Sequence, residues 1–323
     1  MRVVVAGAGA LGSVFGGLLA SKGHDVLLVG RDAHMAAIRR AGLRVSGLFG
    51  EAITHPRTAT DLAAADEPAD LLLVSVKSHA TPSVAATLAT WTHRPGLVVS
   101  LQNGLGNVET LSERLGAERV LGARVIFGAI VLEPGHVHVT VSAKPVAIGP
   151  LTPDARRNEQ AREVARAIAE TGIPCEDVEA TEPLLWEKVL YNCGLNPLGA
   201  LHGLTYGEVA SSSELRPRLD AAIDEGFAVA RARGIPLRWQ DAAEFRSYFH
   251  STLLPPTAAH RSSMRQDLEA GRPTEIDAIG GVIVREGERL GIPTPVNRGL
   301  VEAIHAAERS GGRAAGSPSR RAD

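Results

Sequence analysis

The chain opens Arg2-Val-Val-Val-Ala6 and continues Gly7-Ala-Gly9-Ala-Leu-Gly12 into a helical pattern that runs to Lys22. An apolar run, a glycine-rich turn and a helix, in that order, form the context a dinucleotide-binding fingerprint requires. Gly7 permits the tight turn, Gly9 lets a pyrophosphate approach the backbone, and Gly12 lets the helix lie close on the strand. The pyrophosphate is expected on free N–H groups at the helix start, in the segment Gly7, Ala8, Gly9, Ala10, Leu11 and Gly12. The motif alone is a weak signal, and the flanking strand and helix give it meaning.

Val3 to Ser21 carries no charge and follows Arg2, so the same segment could be read as a secretory leader or a membrane span. Five glycines make it a poor one. The next run, Asp25-Val-Leu-Leu-Val29, reads as a second strand returning to the same sheet, which places the segment inside a domain. No other targeting or membrane segment is apparent, and the expected location is cytoplasmic.

The end of that second strand bears on the cofactor. A site preferring NAD usually has an acid about 20 residues past the fingerprint, bonding the ribose 2′-hydroxyl. Here the strand ends Val29-Gly30-Arg31. Arg31 can stack on an adenine and pair with a 2′-phosphate in fork geometry, which points to NADP(H). Asp32 comes one residue late and is expected to cap the next helix. The alternative for Arg31 is a solvated surface side chain.

A length of 323 residues suggests two domains with sizeable cores. A net charge of −2 gives no basis for nucleic-acid binding. Cys175 and Cys193 have no metal-ligand spacing, and the eleven histidines include no HExxH, so no metal is expected. Up to about residue 125, short apolar runs alternate with helical patterns. Leu71–Val76 and Leu97–Leu101 are continuously apolar, as in a parallel sheet covered on both faces. A hairpin is expected around Glu133-Pro-Gly135, then a helix near 154–171 and a last strand near Pro174–Val178. After Thr181 strand signals nearly vanish. The expected organisation is α/β: a dinucleotide-binding Rossmann domain over 1–179, an all-helical domain over 180–309 and a disordered tail over 310–323 with Arg313, Arg320 and Arg321.

Within the helical region, Lys188, Asn192 and Asn196 recur at a spacing of four, which puts them in one row on a helix. Val189, Leu190, Tyr191, Cys193 and Leu195 lie between them. A polar row on an otherwise apolar helix is the reverse of a surface helix. Buried polar groups are costly unless something bonds them. One ammonium and two carboxamides offer mostly donors, suited to an oxygen-rich small molecule such as a keto acid; the alternative is an internal network ending on backbone carbonyls. Lys77 and Asn103 fall just past the strands Leu71–Val76 and Leu97–Leu101, at the edge where open α/β sheets bind ligands. A surface lysine and a plain turn residue are the bland readings.

Taken together, Gly7-Ala-Gly-Ala-Leu-Gly12, Val76-Lys77, Gln102-Asn-Gly-Leu-Gly106, Trp186-Glu-Lys188…Asn192…Asn196-Pro, Ser262-Ser-Met264…Asp267 and Thr274-Glu-Ile-Asp277 resemble the 2-dehydropantoate 2-reductase (ketopantoate reductase) family over nearly the whole chain. The resemblance implies a Rossmann domain, a helical domain of the 6-phosphogluconate dehydrogenase C-terminal type, and NADPH-dependent reduction of ketopantoate to pantoate on the way to pantothenate and coenzyme A. It implies that Lys188 donates a proton to the keto oxygen, that Asn192 and Asn196 bind substrate, and that Ser263 binds its carboxylate. It implies that Glu275 contacts the cofactor ribose and helps order the site. Asn103 would lie near the nicotinamide, touching cofactor and substrate, with Lys77 beside it. Ala129, in Phe127-Gly-Ala, would supply a backbone contact to the cofactor.

These roles fit elementary chemistry. Hydride attack on a ketone puts negative charge on its oxygen, and a positioned ammonium stabilises that charge and supplies the proton. Glu187 points about 100° away from Lys188 on a helix, so it reads as structural or surface. Glu275 follows Pro273 and is expected in the first turn of a helix, where an acid is also simply a good helix residue.

The chain departs from the family pattern at His260, Gly280, Ala80 and Tyr206. His260 can carry charge near neutral pH, which could suit another 2-keto acid. Three functions therefore stand: ketopantoate reductase, a reductase of a different 2-keto acid, and a non-catalytic NADP(H)-binding sensor, which would need no proton donor at Lys188. The expected partner is a small 2-keto acid, with no nucleic acid and no membrane; monomer and homodimer both remain open.

Overall fold

The computed structural model describes residues 1–311. Most of the expected tail, with Arg313, Arg320 and Arg321, lies outside the described residues. Two compact units divide the chain, Met1–Leu184 and the part from Leu185 onward.

The first unit runs β1 (Arg2–Ala6), α1 (Ala10–Ser21), β2 (Asp25–Val29), α2 (Asp32–Ala41), β3 (Leu43–Gly47), β4 (Ala52–Thr54), β5 (Arg57–Ala59), β6 (Leu71–Val74), α3 (Thr81–Ala89), β7 (Leu97–Ser100), α4 (Asn107–Leu115), β8 (Val120–Arg124), β9 (Phe127–Glu133), β10 (His136–Ser142), β11 (Val146–Gly149), α5 (Ala155–Ala169) and β12 (Cys175–Asp177). Its main sheet has the order β12-β11-β8-β7-β6-β1-β2-β5. The strands from β5 to β8 are parallel, while β11 runs antiparallel to β8. The central strands are continuous apolar runs because both faces are covered: Val3, Val4, Val5, Leu72, Leu73, Val98 and Val99 are fully buried. From β1 the chain builds outward through β2 to β5, then returns to β6 on the other side of β1. That reversal makes a topological switch point, the place where such sheets leave a crevice at the carboxyl ends of their strands.

The hairpin at Glu133-Pro-Gly135 forms as β9 and β10, but its partners are not in the main sheet. β10 pairs in parallel with β3, and β3 pairs with β4, making a separate sheet of order β4-β3-β10-β9. Phe127 at the start of β9 packs on Phe15 of α1, with ring centroids 5.6 Å apart.

The second unit is helical: α6 (Glu182–His202), α7 (Tyr206–Ser211), α8 (Leu215–Ala232), α9 (Ala242–Tyr248), α10 (Ser263–Glu269), α11 (Ile276–Leu290) and α12 (Pro295–Arg309). A Cβ on Gly194 would meet Leu219, and one on Gly226 would meet Leu190 and Ile283. These two glycines therefore let α8 lie close against α6 and α11. Gly291 ends α11 in the left-handed conformation at φ 70°. Helix α6 runs through Pro197 to His202, although proline offers no N–H to the carbonyl of Cys193. Among the described residues no helix is long and apolar enough to cross a membrane, and no group of three His, Cys, Asp or Glu could hold a metal ion.

Candidate active site

At the switch point the glycine-rich loop is pinned from below. The N–H groups of Gly7 and Ala8 both donate to the carbonyl of Val29, at 3.0 and 2.7 Å. Gly7 has φ 104°, a conformation that favours glycine. A Cβ there would stand 2.5 Å from the Val76 backbone nitrogen, and a Cβ on Gly12 would stand 2.4 Å from Ser75 Oγ. Gly9 differs, since a Cβ on it would meet nothing within 4 Å. Two glycines thus serve close packing, and the middle one faces open space. The residues Ala10, Leu11 and Gly12 begin α1, where no preceding carbonyl takes their N–H groups. No acid sits in this first turn and no side chain caps the helix. A donor-rich, acid-free helix start fits a pyrophosphate.

Beside this loop, Arg31 is exposed and its side chain makes no hydrogen bond or ion pair among the described residues. It is the N-cap residue of α2, and Asp32 is that helix's first residue without capping it, contrary to the expectation from sequence. Deeper in, His34 Nδ1 accepts the Gly135 N–H at 3.0 Å, and its Nε2 meets Ser13 Oγ at 3.0 Å. This joins α2, α1 and the hairpin.

Lys77 and Asn103 follow β6 and β7, and a polar network not foreseen from the sequence ties their loops together. Ser78 Oγ donates to the Asn103 carbonyl at 2.8 Å, and Asn107 Nδ2 donates to the same carbonyl at 2.9 Å. Gln102 Nε2 donates to the Val76 carbonyl at 2.9 Å and to Thr81 Oγ1 at 2.7 Å, while Thr81 donates to Asn107 Oδ1 at 2.8 Å. Gln102, Thr81 and Asn107 are all buried. Ala129 lies in β9 opposite Val139 and packs against the core.

In the second unit, α6 carries the row that its spacing suggested. Lys188 is partly buried, while Asn192 and Asn196 are 8% and 5% exposed. For the two asparagines the alternative of a network ending on backbone carbonyls does not hold. Asn192 makes no side-chain hydrogen bond among the described residues, and Asn196 uses only its oxygen, which accepts the Tyr206 hydroxyl at 2.6 Å. Neither carboxamide nitrogen has a protein partner among the described residues, so two donors on one helix face are available to a ligand. Glu187 is buried rather than at the surface, and pairs with Arg238 at 3.5 Å.

Ser262 Oγ donates to the Asn196 backbone carbonyl at 3.4 Å and caps α10 by accepting from Arg265 N at 3.2 Å. This brings Ser263, the first residue of α10, close to the Asn196 end of the row, with its side chain exposed. Glu275 is buried and is the N-cap residue of α11, just before the first turn in which the sequence placed it. Its neighbours are clasped from α12: Glu308 accepts the Thr274 N–H at 2.7 Å, and His305 meets Glu308 at 3.0 Å and Asp277 at 3.1 Å. His260 is half-buried, and burial holds its imidazole below the ordinary range. The neutral ring is therefore favoured, not the charge that the sequence alone allowed.

A helix start suited to a pyrophosphate, with two carboxamides beside a lysine on one helix face elsewhere in the chain, fits a dinucleotide-dependent oxidoreductase acting on a small, oxygen-rich substrate. Two family models match this chain: Ketopantoate reductase PanE/ApbA over residues 3–153 and Ketopantoate reductase PanE/ApbA C terminal over residues 181–308. The chain belongs to the ketopantoate reductase family. The 2-dehydropantoate 2-reductase of Aquifex aeolicus is 34% identical over 310 residues, covering 95% of this chain and 97% of that protein. The 2-dehydropantoate 2-reductase of Archaeoglobus fulgidus is 36% identical over 307 residues, covering 95% and 98%. Among solved structures, a ketopantoate reductase of Ralstonia eutropha has 33% identity and a TM-score of 0.85, covering 96% of this chain and 99% of the other. D-mandelate dehydrogenase, solved with NADH and anilino(oxo)acetate, matches with the same TM-score and coverage at 26% identity.

Proposed function

We infer that this protein reduces 2-dehydropantoate (ketopantoate) to pantoate, with NADPH as the preferred cofactor. The observation that carries the reading is the α6 row: Asn192 and Asn196 are buried, and their N–H groups have no partner among the described residues. A bound nicotinamide dinucleotide supplies the hydride. The N–H groups of Ala10, Leu11 and Gly12 at the start of α1 would hold its pyrophosphate, with no acid in that turn to repel it, whereas those of Gly7, Ala8 and Gly9, expected from the sequence to be free, are spent within the loop and on β2. Arg31, exposed and without an ion pair, would take the 2′-phosphate that distinguishes NADPH. Lys77 and Asn103 would serve the nicotinamide end on loops locked by the Gln102 network. Ala129 and Glu275 would add contacts to the cofactor.

Lys188 is the general acid in this reading. As hydride reaches the carbonyl carbon, the ammonium stabilises the oxygen's growing charge and then protonates it. Asn192 and Asn196 donate to other oxygens of the keto acid, and Ser263 donates to its carboxylate. Glu275 orders the site next to the Thr274 backbone that Glu308 clasps.

One observation favours a second reading, reduction of a different 2-keto acid. Tyr206 occupies the oxygen of Asn196, and His260 packs on Tyr206, so two of the four residues that depart from the family pattern meet at the substrate row. Following NADPH oxidation with a panel of 2-keto acids decides between the two. Ketopantoate as the best substrate supports the first reading, and another keto acid as best supports the second.

A further inference from the structure

We propose that Tyr206 is a positioning residue for substrate recognition. Its hydroxyl fixes the Asn196 carboxamide so that Asn196 meets the keto acid only as a hydrogen-bond donor, to an acceptor oxygen of the substrate. The proposal rests on the substrate role given above to the α6 row.

The direction of the 2.6 Å bond follows from what surrounds it. Tyr206 is 5% exposed and Asn196 is the partner of its hydroxyl. A buried phenol has one proton to place, and leaving it unpaired is costly. The phenol must therefore donate, the carboxamide must answer with its oxygen, and the NH2 group turns away from Tyr206. Burial raises the Tyr206 phenol far above its ordinary value, which keeps it a neutral donor.

Tyr206 is itself held on every side, so the orientation is built in. Its ring meets the His260 ring edge-on at 5.1 Å and the Tyr191 ring edge-on at 5.8 Å. Its backbone N–H donates to the His260 carbonyl at 3.1 Å, and the next N–H, of Gly207, donates to the Ala258 carbonyl at 2.8 Å. A Cβ on Gly207 would stand 3.0 Å from the Ala258 Cβ, so glycine there permits the approach. A capping box between Thr205 and Glu208 fixes the start of α7. From the other side, Ser262 holds the Asn196 backbone carbonyl. A carboxamide free to flip would present oxygen or nitrogen to the substrate equally; this one cannot.

The test is a double-mutant cycle on the full chain with ketopantoate and the other 2-keto acids, reading KM, kcat and Tm. Tyr206→Phe keeps the ring and its packing but removes the hydroxyl. KM for the keto acid should rise about tenfold with kcat changed by less than about threefold. Asn196→Ala should raise KM at least as much. In the double variant Tyr206→Phe should add less than about twofold, because it acts through Asn196. Asn196→Asp retains an acceptor for Tyr206 and removes the N–H groups, so its KM should rise as in Asn196→Ala even if that variant folds poorly. Effects that multiply in the double variant, an unchanged KM in Asn196→Asp, or a Tyr206→Phe variant that loses only Tm would overturn the proposal. An unmutated protein that reduces no 2-keto acid would overturn the function proposed above and this inference with it. An active one with multiplying effects sinks this inference alone.

Discussion

Gly7 and Val76 approach so closely that a Cβ on Gly7 would stand 2.5 Å from the Val76 backbone nitrogen. The loops after β1 and β6 therefore touch at the switch point, and the space they leave is over Gly9, where a Cβ would meet nothing within 4 Å. The two glycines should fail in different ways. Gly7→Ala adds left-handed strain of about 1–3 kcal/mol and a backbone clash, so it should lower Tm markedly. Gly9→Ala should leave Tm nearly unchanged while weakening cofactor binding at least about tenfold, as its methyl group would hold the pyrophosphate off the N–H groups. Thermal melts with a cofactor titration measure both. Equal loss of Tm in the two variants would contradict the separation of roles.

Arg31 carries the cofactor prediction. Nothing among the described residues neutralises it, and no acid replaces it at the end of β2. Arg31→Ala should raise KM for NADPH about tenfold or more while leaving NADH nearly unaffected. Equal kcat/KM for the two cofactors in the unmutated protein would rule this out.

Much of this arrangement is legible in the sequence because it is local. The row Lys188, Asn192, Asn196 needs only the helical period, and Gly7 to Gly12 needs only a strand and a helix on either side. What escapes is what depends on distant partners. β4 and β5 span three residues each, too short for a periodic signal, and β3 finds its partner β10 about ninety positions later. The Gln102 network draws its members from separate loops, so no spacing announces it. Tyr206 reaches Asn196 around the end of α6, where helical periodicity no longer applies. Glu275 falls one residue before its expected place, and the Thr274 N–H beside it is taken by Glu308 of α12, a partner no local pattern announces.

Lys188 should be the residue whose loss costs most in turnover. Lys188→Ala removes the proton donor and should lower kcat by roughly 10²–10⁴. Cofactor binding should survive, since the pyrophosphate cradle belongs to the first unit, and fluorescence titration with NADPH checks this. Near-normal turnover would move the acid elsewhere, with Lys77 the next candidate.

His305 gives a pH dependence with a definite sign. Its hydrogen bond to Glu308, and then Asp277, holds its imidazolium above the ordinary value despite partial burial. A raised folded pKa means the contribution to stability is fully present below the unfolded value of about 6.5 and is lost as pH rises through the folded value. The effect should be small, because the side chain is 33% exposed. Tm should therefore decline from neutral to mildly alkaline pH more steeply in the unmutated protein than in His305→Gln. His34 and His260, both shifted downward, act in the opposite sense at lower pH, so comparing the two proteins isolates His305. Parallel Tm profiles would show that the clasp on Thr274 does not depend on its charge.

The substrate preference follows from the unused donors on α6. Ketopantoate carries a hydroxymethyl oxygen that 2-ketoisovalerate lacks. Asn192 makes no side-chain hydrogen bond among the described residues, so a bound substrate without the matching oxygen would cover that carboxamide and leave it unpaired. A site built to bond a hydroxyl rejects its deoxy analogue because its own polar groups then go unsatisfied. Ketopantoate should therefore exceed 2-ketoisovalerate by at least about tenfold in kcat/KM. Asn192→Ala should shrink that ratio mainly through the ketopantoate KM, since 2-ketoisovalerate loses no contact. If 2-ketoisovalerate is preferred, or if His260→Asn creates a ketopantoate activity that the unmutated protein lacks, the substrate is a different 2-keto acid. Tyr206 and His260 would then be the residues that changed it.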